Sequence, residues 1–286
     1  MSRRPFDEQT ERLLERVCAA RRSYRFPRRI RELAEQFARD VLALLFPHFT
    51  RDAGADVREM GAELERLRAL LVAALARPAE GDASEASADD LADCFIGRLP
   101  AIYDTLLADA RATYEGDPAA TSVDEVILAY PGFFAIACYR IAHEFYRLRA
   151  PVFARLLTEL AHRETGVDIH PGATIGRALA IDHGTGIVIG QTAVLGDRVK
   201  LYQGVTLGAL SVDKALADTK RHPTIGNDVV IYANATILGG RTEIGDGCVI
   251  GGNVWLTHSI PPKSVVTHTP AVERKRGEEE LLEFNI

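Results

Sequence analysis

Aliphatic residues recur at every sixth position through most of the C-terminal half of this chain. The series has seven members, stops, resumes for three, slips by one place at Leu238 and continues. Its members are Ile169, Ile175, Ile181, Ile187, Ala193, Val199, Val205, then Ile225, Ile231, Ile237, then Leu238, Ile244, Ile250 and Leu256. A six-residue period predicts a solenoid in which each hexad forms a short strand and a corner, with about 18 residues per triangular coil. Because one coil buries little apolar surface, stability must come from stacking.

The N-terminal part of the chain follows a helical period instead. Apolar residues at three- and four-residue steps predict helices over 27–49, 56–76, 91–114 and 133–160. The segment 78–90 is small and polar, which is typical of a linker or loop.

These two periods predict an α+β chain with three parts. We expect a helical domain at 1–165, a repeat domain at 166–262 and a C-terminal tail at 263–286. The polar segment 211–223 has no aliphatic hexads, so it should leave the coil as an excursion loop. Pro261 and Pro262 cannot donate to another strand ladder and are expected to end the repeats.

Composition narrows the class of protein. The formal net charge is −6, from 34 basic and 40 acidic residues, which argues against a nucleic-acid partner. The four cysteines form no CxxC pair, so free thiols in a reducing cytoplasm are expected and a zinc site is not. The N-terminal residues lack the apolar region of a signal peptide, and no run of 18 apolar residues predicts a membrane span.

An ionisable pair interrupts the repeats in "IDHGTGIVIG" (181–190). Asp182 and His183 lie between isoleucines and glycines, where such groups are retained for chemistry or for a polar partner. With 18-residue coils, Asp168 would stack beneath Gly186 and share a corner with His183. A histidine beside a carboxylate can act as a general base. A surface His-Asp pair at a coil corner explains the spacing equally well.

Several stretches carry a more specific pattern. They are "YEGDPAATSVDEVILAYPGFFAIACYRIAHEFY" (114–146), "VDIHPGATIG" (167–176), "IDHGTGIVIGQTAVLGD" (181–197), "LYQGVTLGAL" (201–210) and "KRHPTIGNDVVIYANATILGG" (220–240). Together they resemble the serine O-acetyltransferase family of hexapeptide-repeat acyltransferases. The resemblance implies a left-handed parallel β-helix that assembles as a homotrimer or a dimer of trimers.

The same resemblance implies a reaction. Acetyl-CoA would be the co-substrate, and its acetyl group would pass to the hydroxyl of L-serine to give O-acetyl-L-serine for cysteine biosynthesis. No metal is implied. L-cysteine, which differs from serine by one atom, is expected as a feedback inhibitor in the same receptor.

The resemblance also implies roles for individual residues. His183 would be the general base and Asp168 its orienting group. Residues that would bind the two charged ends of serine are Asp117 and Asp182 for the ammonium group and Arg221 and His222 for the carboxylate. Read locally, Asp117 also suits a turn or helix cap before Pro118, and Arg221 and His222 suit an exposed basic loop end.

Small residues would line the groove for CoA. Positions implied by the resemblance are Gly208, Ala209, Ala233 and Gly252. Corner geometry alone explains each of them as well. His170 lies 13 residues before His183, which is not a whole coil, so we interpret it as structural or as a subunit-interface residue.

The last residue, Ile286, suggests a partner. In the family a C-terminal isoleucine inserts into O-acetylserine sulfhydrylase, and Ile286 could do so with its carboxylate mimicking that of the amino-acid substrate. A disordered acidic tail without a partner is the alternative.

Three other functions remain open from the sequence. One is an acyltransferase for another hydroxyl or amine acceptor, such as a sugar. Another is a non-catalytic β-helix assembly module. A zinc enzyme of the trimeric carbonic anhydrase type would have to use His170, His183 and His222, whose Asp and Arg neighbours better suit a zwitterion.

Overall fold

The computed structural model describes residues 6–50, 56–76, 86–210 and 219–268. Within these ranges a helical half is followed by parallel strands. The α-helices are α1 (Glu8–Ser23), α2 (Ile30–Leu45), α3 (Val57–Leu75), α4 (Ala88–Ile96), α5 (Leu99–Gly116), α6 (Val123–Ala129), α7 (Pro131–Arg147) and α8 (Pro151–Thr165). A short 3-10 helix, Pro47–Phe49, follows α2.

Local sequence signals set the helix boundaries. Asp56 and Glu59 form a capping box at the start of α3, where each side chain accepts a backbone N–H of the other residue. Prolines in the first turns of α5, α7 and α8 begin those helices. For this reason the predicted helical stretches 91–114 and 133–160 each divide into two helices.

An aromatic cluster forms the centre of the helical half. Phe37, Phe95, Phe145 and Phe153 come from four different helices and are buried. The Phe95 and Phe145 rings stack with centroids 4.5 Å apart, and Phe153 meets Phe145 edge-on at 4.8 Å. By contrast, α1 buries none of its residues against the described part of the chain.

No single helix in the described ranges is both long enough and apolar enough to cross a membrane. One bent pair, Val123–Ala129 with Pro131–Arg147 at 76°, meets the criteria of length and composition together.

The strands build a three-faced parallel solenoid. They are β1 (Asp168–Ile169), β2 (Thr174–Ile175), β3 (Ala180–Asp182), β4 (Val188–Ile189), β5 (Val194–Leu195), β6 (Lys200–Tyr202), β7 (Thr206–Gly208), β8 (Thr224–Ile225), β9 (Val230–Ile231), β10 (Thr236–Leu238), β11 (Glu243–Ile244), β12 (Val249–Ile250), β13 (Trp255–Leu256) and β14 (Val265–Val266). Face A contains β1-β4-β7-β10-β13, face B contains β2-β5-β8-β11 and face C contains β3-β6-β9-β12-β14. We call the turns from face C to face A the CA corner, and those from face A to face B the AB corner.

The first coil is longer than the expected 18 residues. Asp168 pairs with Val188, twenty positions later, and not with Gly186 as expected. The next coil has the shorter spacing, with Val188 opposite Thr206. The extra length lies at the first CA corner, between β3 and β4.

The solenoid continues beyond residue 262, because Pro261 and Pro262 lie in a turn and Val265–Val266 still pairs with β12. Residues 211–218 of the excursion loop and residues 269–286 of the tail, including Ile286, lie outside the described residues.

Candidate active site

The first CA corner presents the Asp-His pair. Asp182 ends β3 and is largely buried, whereas the His183 side chain is 73% exposed. His183 has φ 57°, a left-handed conformation that the corner residues Arg198 and Asn234 also adopt. Gly184, with φ 88°, completes a wide turn that lifts the imidazole out of the coil.

Asp168 lies at the same corner as His183. The corner chain crosses directly over it, since the Asp168 N–H donates to the carbonyl of Ile187 at 2.9 Å. Among the described residues, however, the ion-pair partner of His183 is Asp182, with Nε2 3.7 Å from Oδ1. The Asp168 carboxylate instead lies within 4.8 Å of ligand atoms of Glu159 and His162. The role of Asp168 as orienting group therefore remains a prediction.

Asp117 approaches this corner from the helical half. It follows α5, and its carboxylate accepts hydrogen bonds from Tyr130 Oη at 2.7 Å and from the Ala119 N–H at 2.8 Å. These two bonds, aided by the nearby Lys200 and His183, lower the pKa of Asp117. The Asp117 bond in turn raises the pKa of Tyr130 to about 12, so the phenol stays a donor.

Close backbone contact brings the two halves together at this point. A Cβ on Gly132, in the first turn of α7, would lie 2.5 Å from the carbonyl oxygen of Ile181. Only glycine allows α7 to meet β3 this closely. Tyr130, two residues earlier, is thereby near enough to Asp182 for that carboxylate to contribute to its raised pKa.

Lys200 is a further member of this cluster that the sequence reasoning missed. Its Nζ lies 3.3 Å from Oδ2 of Asp182 and 2.6 Å from the carbonyl oxygen of Gly116. Only its position on β6, paired in register with β3, could have indicated a role.

The AB corner carries the predicted carboxylate-binding residues. His222 is buried, and its Nδ1 accepts the backbone N–H of Thr192 at 3.1 Å. Burial, with the nearby Arg221 and Lys220, lowers the pKa of His222 to about 4. A neutral His222 therefore carries its proton on Nε2, where it can donate a hydrogen bond but supplies no charge.

Arg221 is one of two charged groups at this corner, the other being Lys220, whose ammonium donates to the carbonyls of Thr192 and His222 at 2.7 Å. Arg221 Nη2 donates to Gln191 Oε1 at 2.9 Å, and Gln191 Nε2 donates to Tyr146 Oη at 3.0 Å. The Arg221 Nε is buried without a hydrogen-bond partner in the described part of the chain. No carboxylate among the described residues pairs with this guanidinium, so it can accept a carboxylate ligand.

The predicted site is therefore divided between two corners of one chain. Asp117, Asp182 and His183 lie at the CA corner, and Arg221 and His222 lie at the AB corner. The predicted CoA-lining residues divide in the same way. Gly208 and Ala209 lead into the AB corner, whereas Ala233 and Gly252 lie in successive CA corners, the Cβ position of Gly252 being 3.2 Å from the carbonyl oxygen of Ala233.

The histidines considered for zinc divide likewise. His170 lies at the AB corner with His222, while His183 lies at the CA corner. Burial, with nearby positive groups, lowers the pKa of His170 to about 4, and its Nδ1 accepts the Gly172 N–H at 3.0 Å.

Comparisons with known proteins agree with this architecture. The family model "Serine acetyltransferase, N-terminal" matches residues 57–138. The plasmid serine acetyltransferase of Synechococcus elongatus is 51% identical over 185 residues, which cover 63% of this chain and 58% of that protein. The crystal structure of Entamoeba histolytica serine acetyltransferase 1 in complex with L-cysteine superposes with a TM-score of 0.73 at 32% identity, covering 84% of this chain and 98% of that one.

A second solved structure, from another organism, gives a similar match. The structure of Neisseria gonorrhoeae serine acetyltransferase in complex with serine has a TM-score of 0.59 at 31% identity, covering 84% of this chain and 83% of that one. The chain thus belongs to the serine acetyltransferases, a family of acyltransferases.

Proposed function

We propose that this chain transfers the acetyl group of acetyl-CoA to the hydroxyl of L-serine, giving O-acetyl-L-serine and CoA. Family membership supports the reaction class. The observation that carries the substrate is the difference between the two corners. One presents two carboxylates and a histidine, and the other presents a guanidinium that has no anionic partner among the described residues. Such a pair suits a zwitterion and has no evident use for a neutral sugar.

His183 is the proposed general base. The serine hydroxyl attacks the thioester carbonyl carbon as an imidazole nitrogen takes the hydroxyl proton. The tetrahedral intermediate then expels the CoA sulfur, which takes the proton from the imidazolium. Exposure lets the His183 side chain rotate toward substrate, and carboxylates lie at the same corner. Asp182 is the carboxylate in contact at 3.7 Å, and Asp168 is the proposed orienting group.

The two ends of serine would be bound at different corners. Asp117 and Asp182 are the proposed ligands of the ammonium group. The hydrogen bond from Tyr130 lowers the pKa of Asp117, and Asp182 lies 3.3 Å from the Lys200 ammonium. Arg221 and the Nε2–H of His222 are the proposed ligands of the carboxylate. In this proposal the serine hydroxyl would lie near His183.

Because the CA and AB corners lie apart within a single chain, we propose that the complete site forms between two subunits. In a cyclic trimer, each interface joins unlike surfaces of neighbouring copies. The CA corner of one subunit would then face the AB corner of the next, and Gly208 and Ala209 would face Ala233 and Gly252 across the CoA groove. The solenoid forms such a trimer, and the helical half could pair two trimers.

A mixing experiment tests both the activity and its placement. His183→Ala and Arg221→Ala are each expected to be inactive when thiol release from acetyl-CoA is measured with serine present. Coexpressed in equal amounts, they should recover about a quarter of wild-type activity, because a random trimer interface has both intact corners at that frequency. A mixture as inactive as its components would place the whole site within one chain.

We further propose that L-cysteine inhibits by occupying the serine receptor, since it carries the same ammonium and carboxylate groups. The Entamoeba histolytica enzyme crystallised with L-cysteine supports this. A cytoplasmic location is proposed from the four free cysteines.

Docking of Ile286 into O-acetylserine sulfhydrylase also remains a proposal. It is tested by adding one residue after Ile286 and measuring affinity for that enzyme. Unchanged affinity would reject it.

A further inference from the structure

Lys200 contacts both segments that carry the proposed ammonium ligands, the end of α5 before Asp117 and the end of β3 at Asp182. Its ammonium donates to the carbonyl oxygen of Gly116 at 2.6 Å and lies 3.3 Å from Oδ2 of Asp182. Gly116 is the last residue of α5 and directly precedes Asp117. A single cation therefore contacts the ends of both segments that carry the proposed ammonium ligands, one from the helical half and one from the solenoid.

The Lys200 side chain is held in place along its length. It is only 16% exposed, and its ammonium lies 4.5 Å from the centroid of the Tyr202 ring. That ring stacks on Tyr232 with centroids 4.9 Å apart and an angle of 11°. The lysine methylenes approach Gly116, where a Cβ would lie 3.5 Å from Lys200 Cδ. Ordering a lysine costs rotamer entropy, so three simultaneous partners indicate an organised part of the structure.

The side chain remains an ammonium in this environment. Burial alone would lower the pKa of Lys200, but its contacts with Tyr202 and Asp182 outweigh burial and raise the pKa. The cation also lies at the C-terminal end of α5, where the last carbonyls are unpaired and the helix dipole favours positive charge.

We propose that Lys200 is a positioning residue that fixes the gap between Asp117 and Asp182 and so sets the affinity for the ammonium group of the amino-acid substrate. Two carboxylates brought to one cation-binding pocket repel each other, and a permanent cation between their segments offsets that repulsion. This inference rests on the proposed function. The competing explanation is that Lys200 merely joins the helical half to the solenoid.

Lys200→Met separates these explanations, because methionine keeps an apolar stem of similar length and removes the charge. We expect the KM for serine to rise about tenfold, the loss of one charge-assisted contact. Changes in kcat should stay within about threefold, because Lys200 reaches His183 only through Asp182 in the described part of the chain. The KM for acetyl-CoA should not change, because no hydrogen bond or ion pair in the described ranges joins Lys200 to the proposed CoA-lining residues. Lys200→Arg should recover part of the affinity.

Arg198→Met is the matched control. Arg198 lies two residues away and forms an exposed ion pair with Asp228, with Nε to Oδ1 at 2.6 Å. Arg198→Met should leave every kinetic constant unchanged. If Lys200→Met also left the serine KM unchanged, or lowered kcat together with thermal stability, the positioning role would be overturned. Should Lys200→Met fail to fold, Lys200→Gln and calorimetric titration with serine give the same readout.

A double-mutant cycle with Asp117→Asn tests the route of the effect. If Lys200 acts by placing Asp117, the double variant should raise the serine KM no further than the more severe single variant. Effects that multiply would show that the two residues act independently and would overturn the proposal. A wild-type chain that does not acetylate serine would reject the proposed function itself. If the wild-type chain is active, the results of the cycle bear only on the role of Lys200.

Discussion

Asp109 and Arg140 form a buried, bidentate ion pair where the helical half meets the first coil. Arg140 Nε and Nη2 donate to the two carboxylate oxygens at 3.0 Å each. The same guanidinium donates to the carbonyl of Ile175 at 2.7 Å, and Asp109 accepts the Leu179 N–H at 2.8 Å. Because Asp109 lies on α5 about two turns before the helix ends, this pair also anchors the helix that leads into Asp117, a proposed substrate ligand.

Asp109→Asn should therefore destabilise the whole chain. The substitution leaves the Arg140 charge buried without its counterion, which costs about 3–5 kcal/mol in the free energy of unfolding. Denaturant unfolding followed by circular dichroism measures the change. The control is Asp228→Asn, which breaks the exposed Arg198 pair and should cost less than about 1 kcal/mol. Equal costs for the two variants would contradict a special role for the buried pair.

The repeat period predicted the solenoid but not the length of its first coil. Each hexad has two buried positions, one in the strand and one in the preceding turn. Ile181 occupies the first kind, whereas Ile187 occupies the second, with Ile189 as the inward strand residue. Both kinds are aliphatic, so the six-residue series continues across the two extra residues at the CA corner without any visible break.

Gly190→Ala should damage the AB corner. A Cβ at this position would lie 1.9 Å from Cδ2 of His222, so the imidazole must move away from Thr192. We expect a rise in the KM for serine and a loss of about 1–3 kcal/mol in unfolding free energy. Gly61→Ala is the control, since a Cβ there meets nothing within 4 Å and should stabilise α3 slightly. If Gly190→Ala had the same KM for serine as wild type, the proposed role of His222 in binding serine would be contradicted.

Tyr130→Phe should weaken serine binding without unfolding the chain. The phenol donates to Asp117 at 2.7 Å, and its loss frees one carboxylate oxygen to rotate. A fewfold rise in the serine KM, with the acetyl-CoA KM unchanged, is the expected result. Thermal melting should change little, because phenylalanine keeps the aromatic ring and the lost hydrogen bond is only part-buried. An unchanged serine KM would show that Asp117 does not depend on this donor.

Sequence motifs indicated the charged residues of the site but not their supports. Asp182, His183 and Arg221 belong to short recognisable stretches. Lys200 reaches Gly116 across 84 residues of sequence, and its role depends on the register of β6 against β3. The sequence also could not show that the predicted site residues are divided between the CA and AB corners. That division depends on which two faces of the solenoid each turn connects.

Acid should destabilise the chain through the AB corner. Burial and nearby cations lower the pKa of both His222 and His170 to about 4, against 6.5 for an ordinary histidine. Between these values the unfolded chain binds more protons than the folded chain, so stability is complete above about pH 6.5 and falls as the pH drops toward about 4. Urea unfolding midpoints across this range measure the loss. His222→Gln should flatten the pH dependence relative to wild type, because glutamine cannot take up that proton. His258→Gln, at an exposed position, should leave the curve of wild type unchanged. A His222→Gln curve as steep as that of wild type would show that other groups cause the acid sensitivity.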